Sequence, residues 1–366
     1  MSTAHNVIDP VLGTNRSYAY LDNVLGYAKH SVSVMMPFYI TFIVYLALST
    51  TYLIYIDRLS VINFAPYFQT LLPQLTFFFP LLLLIGGIAG ALRRGKQRRL
   101  YAVKTLFNPR NVANYLVGAS AIFMLMVFLG MYTAVKNTFG EIQGFQHDIW
   151  QADLDQFLFF GHDPWHILFT PFHSISLQKI VEINYNMFWH IQVFAIIAFV
   201  ALSDFNTIRR VRYLVCMLLV WAIVGSVFAG LFSSAGPAYY GLVTGDDLRF
   251  GEQLAVLAEY EASTAVAYQA YLWKSYINNV PGLGTGISAF PSIHVSLVVL
   301  NMFFAFEINK KLGIVALLYA LFILFSSVYL AWHYAIDGIF GGMVVAVIYF
   351  VARRVMIDKK MPFKLS

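Results

Sequence analysis

The chain has 366 residues, of which 59% are hydrophobic and only 11% charged, whereas soluble domains carry about 25% charged residues. With a mean hydropathy of +0.68 this excludes an ordinary soluble enzyme and indicates an all-α polytopic membrane protein. A lone cysteine, Cys216, excludes an internal disulfide, and the net charge of +6 comes without the basic-aromatic stretches or zinc spacings of a nucleic-acid-binding protein.

Residues 1–31 are polar and lack a cleavable signal pattern. The apolar runs that follow predict eight transmembrane spans, near 34–56, 72–92, 112–135, 177–202, 213–234, 289–308, 312–333 and 337–353. The expected organisation is an N-terminal part, 1–135, a catalytic membrane domain, 136–353, and a tail, 354–366. With the N-terminus cytoplasmic, all of the 24 Lys and Arg residues fall inside except Arg58, Lys136, Lys179, Arg249 and Lys274. The runs Arg93–Arg99 and Arg209–Arg212 read as topology determinants. This orientation implies a bacterial inner membrane with a periplasmic site, or a Golgi membrane with a luminal site in a eukaryote.

Two outer segments are too long for simple turns. In the first, residues 136–176, the acidic and aromatic stretch Ile149–Phe160 predicts an amphipathic helix on the membrane surface, ended by Gly161-His162-Asp163-Pro164-Trp165. The second, residues 234–288, holds Gly236-Pro237-Ala238-Tyr239-Tyr240-Gly241, an expected helix at 249–272 and a Gly-rich approach, Gly282–Ile287. Both segments are expected to roof a site. The scattered His162, His166, His173 and His190 read as surface or interfacial residues. Glu182, Asn184 and Asn186 sit inside span four, where polar groups are costly unless they face a cavity, so that span is expected to line a headgroup pocket.

The strongest signal lies further on. His294 and His333 are thirty-nine residues apart, separated by an apolar hairpin. One crossing takes about 20 residues, so the hairpin returns the second imidazole to the face of the first. Pro291 suits the first position of span six, which puts Ser292, Ile293 and His294 in its first turn, where free amides and the positive dipole end favour an anion. Asp337, four residues after His333, stands where a carboxylate orients an imidazole and raises the basicity of its other nitrogen.

Pro291-Ser292-Ile293-His294 and His333-X3-Asp337 resemble motifs of the type 2 phosphatidic acid phosphatase superfamily. Phe290, Tyr334 and the stretch Leu154–Trp165 look most like its inositol phosphorylceramide synthase branch. The resemblance covers roughly residues 140–353. It implies a helical membrane core and two-step transfer of a phosphate or phospho-headgroup from a phospholipid donor to a lipid or polyol hydroxyl, with no cofactor and no metal. His333 would attack phosphorus, Asp337 would orient it, His294 would serve as acid and then base, and Ser292 with the turn amides would bind phosphate oxygens.

The chain departs from the soluble members of that superfamily, which carry Ser-Arg where Ser326-Ser327 stands, and a Lys and an Arg-Pro pair near Ser233–Tyr240. Another cation must therefore meet the phosphate. Lys136, Lys179, Arg249 and Lys274 are available on the outer side; Arg249 and Lys274 are preferred because their loop leads into the motif. Tyr239 and Tyr240 are further hydrogen-bond donors to phosphate. Hydrolysis of a lipid or polyprenyl phosphate, and lipid transport on the same fold, stay open as alternatives.

Overall fold

A computed structural model describes residues 10–73, 107–169, 173–202 and 207–356, with Phe77, Leu81 and Ile85. The span expected at 72–92 and the charge run Arg93–Arg99 lie almost entirely outside the described residues. The chain is a helical multi-pass membrane protein. Among the described residues six helices are long and apolar enough to cross a membrane. They are α1 (Pro10–Tyr55), α3 (Pro109–Gln143), α6 (Ile175–Leu202), α7 (Ile208–Leu231), α12 (Lys310–Tyr329) and α13 (Ala335–Val355). The 16-residue apolar α11 (Ile293–Ile308) joins them. Shorter helices are α2 (Ala65–Pro73), α4 (Asp148–Leu158), α5 (Pro164–Leu168), α8 (Tyr240–Thr244), α9 (Gly251–Ala258) and α10 (Thr264–Ile277).

Local chemistry sets where these helices begin. Asn108 caps α3, with Pro109 in its first turn, and Ser174, Ser263, Ser292 and Asn309 cap α6, α10, α11 and α12; each side chain accepts a first-turn amide. Asn309 both ends α11 and caps α12, so the two pack closely as an antiparallel hairpin. Helix α13 lies along α11, and α3 packs against α1 and α6. Outward faces carry exposed aliphatic groups such as Ile43, Leu48, Val315, Leu318 and Val347, as lipid contact requires.

The structure revises several boundaries. Helix α3 runs on to Gln143, eight residues past the end expected for the span near 112–135. The single helix expected at 249–272 is two, α9 and α10, because Ser263 starts a new helix by capping Val266. Pro291 precedes α11 by two residues, since Ser292 takes the cap position. Helix α6 contains a π-helical stretch, Asn184–Phe188, a wider turn that re-aims the residues after it. At the far end from the histidine motifs, Arg212 pairs with Glu307 at 2.5 Å and Tyr349 donates to the same carboxylate, joining α7, α11 and α13. Arg212 is thus a buried structural partner as well as part of a basic run.

Candidate active site

Three chain segments converge at one end of the bundle. The first is the start of α11. Ser292 Oγ accepts from Val295 N, and the Ser292 amide donates to the Asp337 carbonyl at 3.0 Å, which pins this start to α13. Ile293 and His294 therefore occupy the first turn. The second segment is the turn between α12 and α13, which carries His333. The third is α13 itself, whose first turn holds Asp337.

The ring centroids of His294 and His333 lie 6.5 Å apart. Reacting atoms in a near-attack geometry stand about 3–3.5 Å apart, so one phosphorus fits between these rings. His333 Nδ1 is 3.2 Å from Asp337 Oδ2, which also accepts the Tyr334 amide at 3.0 Å. With Nδ1–H donated to Asp337, Nε2 keeps its lone pair. Burial pushes the His333 imidazole down to about 3; the Ala289 carbonyl opposes this and the Lys136 charge adds to it. The neutral form is the resting one.

His294 is held between aromatic rings. Tyr185 stacks on it at 4.5 Å and 11°, Trp189 lies 4.0 Å away, and Trp189 Nε1 donates to the His294 carbonyl at 3.0 Å. Both residues come from the re-aimed part of α6. His190, on the next position, stands edge-on at 6.1 Å.

Two carboxylates of α4 brace the His333 turn. Asp148 accepts the amides of Ala235 and Gly236 at 2.8 and 2.7 Å and the Tyr334 hydroxyl at 2.8 Å. Asp155, one face-repeat later, accepts the amides of Ala335 and Ile336 at 2.7 and 2.8 Å. Burial pushes the Asp155 carboxyl up to about 7, against those two bonds, which favour its anion. Burial also raises Asp148 above the usual carboxylate range, opposed by its three donors. Gln253 and Gln269 donate to the carbonyls of Val328, Tyr329 and Leu330, and Gly236 (φ +90°) lies so close to the Trp332 carbonyl that a Cβ would stand 2.8 Å from it. The histidine-bearing turn is fastened from three directions.

The sequence model of the PAP2 superfamily matches residues 149–352, more than half of the chain. The chain belongs to the PAP2 superfamily. No curated protein and no solved structure matches it.

Within the candidate site of this PAP2 superfamily member the residues expected from sequence are not all together. His294, His333, Asp337 and Ser292 are. Tyr239 is buried and spends its hydroxyl on the Gln269 carbonyl at 3.0 Å. Tyr240 packs edge-on against Phe250 and receives Arg249 Nη1 at 3.5 Å. Arg249 forms ion pairs with Asp153 at 2.6 Å and Asp163 at 2.9 Å, so its charge is already matched. Lys274 stands exposed in the last turn of α10. Among the described residues no contact joins Arg249 or Lys274 to either imidazole. Ser326 and Ser327 donate back to Phe322 and Leu324 carbonyls of their own helix.

Span four meets the site through Tyr185, Trp189 and His190 rather than through Glu182. Glu182 does not face a headgroup pocket; it accepts from Gln178, Ser263 and Thr264 and fastens the start of α10, where Asn186 also bonds Thr264. His190 belongs to the rim of the site rather than to a bare interface, whereas His166 stacks on Trp165 and His173 on Phe169. Asp148 and Asp155 escaped the sequence reading as site residues. Their signal was the seven-residue spacing on one face of an amphipathic helix, and nothing local named their partners. Among the described residues no group of three or more His, Cys, Asp or Glu is arranged to hold a metal ion.

Proposed function

We propose that this protein is a lipid phosphotransferase that moves a phosphate or phospho-headgroup from a phospholipid donor to the hydroxyl of a lipid or polyol acceptor, at the non-cytoplasmic membrane face. The observation that carries this reading is the pairing of two imidazoles 6.5 Å apart, one of them bonded to a buried carboxylate. In the first step His333 Nε2 forms a bond to phosphorus while the phosphorus–oxygen bond to the leaving group breaks. His294, protonated once the phosphate anion is seated beside it, gives its proton to that departing oxygen. In the second step neutral His294 takes the proton of the acceptor hydroxyl, whose oxygen displaces His333. Asp337 holds the Nδ1–H and matches the charge that develops on the ring. Superfamily membership supports phosphatase or phosphotransferase chemistry in general. The likeness of Phe290–His294, His333-Tyr334 with Asp337, and the stretch Leu154–Trp165 to the inositol phosphorylceramide synthase branch supports transfer to a hydroxyl. The positive-inside bias of the sequence supports the outward face.

Hydrolysis is the second reading. It is favoured by a small cleft bordered by His333, Tyr334, Asp155, Trp165 and Gln253, which is far narrower than an ordinary ligand pocket and has room for about one water molecule. Purified protein incubated with headgroup-labelled phospholipid tests both readings. Label transferred only when a hydroxyl acceptor is present supports the transferase; label released as free phosphate at the same rate without acceptor supports the hydrolase. No release or transfer of label from any phospholipid or polyprenyl phosphate removes both.

A further inference from the structure

We infer that Lys136 of α3 is the cation that binds the transferred phosphate, an inference that rests on the phosphotransfer reading. The starting point is a gap in charge. A phosphate bound between two imidazoles needs a positive partner. The serines at 326 and 327 supply none, Arg249 is matched by two carboxylates, and Lys274 stands exposed on α10.

Lys136 fills that gap. It is half-buried, and among the described residues it makes no hydrogen bond and no ion pair. Its charge acts on both His294 and His333. The Gly-rich approach to the first histidine motif is built against it. Gly286 (φ +90°) approaches so closely that a Cβ there would lie 3.0 Å from Lys136 Cγ, and Asn137 Nδ2 donates to Thr285 Oγ1 at 3.0 Å. The loop from Gly282 to Phe290 is thereby held across α3 beside the lysine before it enters α11. An ammonium in a membrane protein without a protein partner is costly unless an anion or water meets it. A phosphate seated between the histidines meets it, with the first-turn amides of α11 as further donors. Lys136 lies outside residues 149–352, which match the superfamily, so the helix that precedes the matched core completes the site.

The test uses the purified full-length protein in lipid nanodiscs with orthovanadate, a phosphate-like oxyanion, as the probe. Binding is followed by tryptophan fluorescence, since Trp189 touches His294. Lys136→Met should weaken vanadate binding by about 30-fold or more, as expected for loss of a charge-assisted contact. Lys136→Arg should retain binding, and Lys179→Ala, an exposed lysine on α6, should bind as wild type. Without anion, Lys136→Met should melt no lower than wild type, because an unmatched charge has been removed; a structural lysine would lower the melting temperature. Unchanged vanadate affinity in Lys136→Met overturns the assignment, and wild-type phosphotransfer in the same preparation would leave the proposed function standing. Vanadate binding that is lost in Lys136→Met while wild type transfers no phosphorus would support the lysine and sink the function. A wild-type protein that neither binds vanadate nor transfers phosphorus overturns both.

Discussion

Tyr334 donates its hydroxyl to Asp148 at 2.8 Å, across 186 positions of sequence, and so ties α4 to the residue that follows His333. The same carboxylate holds Ala235 and Gly236, so one buried side chain joins the surface helix, the 234–237 turn and the histidine turn.

Replacement of Asp148 by Ala leaves three buried donors without their acceptor. Hydrogen bonds to charged groups contribute about 1.5–3 kcal/mol each, so a clear drop in melting temperature is expected, with turnover lowered in step. Tyr334→Phe removes one of the three and should have a smaller effect in both assays. Thermal unfolding in detergent checks this; an Asp148→Ala protein as stable and active as wild type contradicts the brace.

Asp337→Asn keeps the shape but replaces a carboxylate that accepts from both His333 and the Tyr334 amide. Turnover is expected to fall by about 10²-fold or more, since the imidazole loses its orienting charge. Steady-state kinetics with a labelled phospholipid measures it. A rate within twofold of wild type would remove the orienting role.

The α6 rings hold His294, the proposed proton donor, in place. Trp189→Leu removes both the ring beside His294 and the donor to its carbonyl, whereas Tyr185→Phe keeps the 4.5 Å stack. The first should lower kcat by roughly tenfold or more and the second should stay near wild type. Equal losses in the two would mean that the tyrosine hydroxyl, not the stacking, matters.

His333 gives a pH prediction. A base whose folded-state pKa is depressed to about 3 stays neutral above that value, so the proposed nucleophile keeps its lone pair throughout the neutral range. NMR of labelled His333 should show no protonation between about pH 5 and 8, and a titration centred near the ordinary 6.5 contradicts the buried assignment. The stability contribution has the matching sign. It is fully present above about 6.5 and is lost as pH falls below that value toward the folded pKa, so wild type should lose melting temperature in acid faster than His333→Ala.

Much of this site was legible in the chain, and the reason is physical. His294, His333 and Asp337 are fixed by short motifs at helix ends, and the length of the hairpin between them decides which face they share. Membrane helices were legible because length and hydropathy alone define them. What escaped depends on long-range partners. Asp155 read only as part of an amphipathic stretch and Asp148, one residue before it, was not singled out, because their acceptor roles need amides 87 to 181 positions away. Glu182 looked like a pocket residue because a carboxylate in a span is costly, but Ser263 and Thr264 of α10 satisfy it. Arg249 looked free because Asp153 and Asp163 sit in a different outer segment. The re-aiming turn at Asn184–Phe188 has no proline or glycine to mark it.

The most direct test of the account is to look for the covalent intermediate. Purified protein is mixed with phosphorus-labelled phospholipid in the absence of acceptor, quenched at alkaline pH where phosphohistidine survives, and mapped by mass spectrometry. The account predicts label on His333, none on His294, and no label or turnover in His333→Ala. Wild-type turnover by His333→Ala, or label found on another residue, would contradict it.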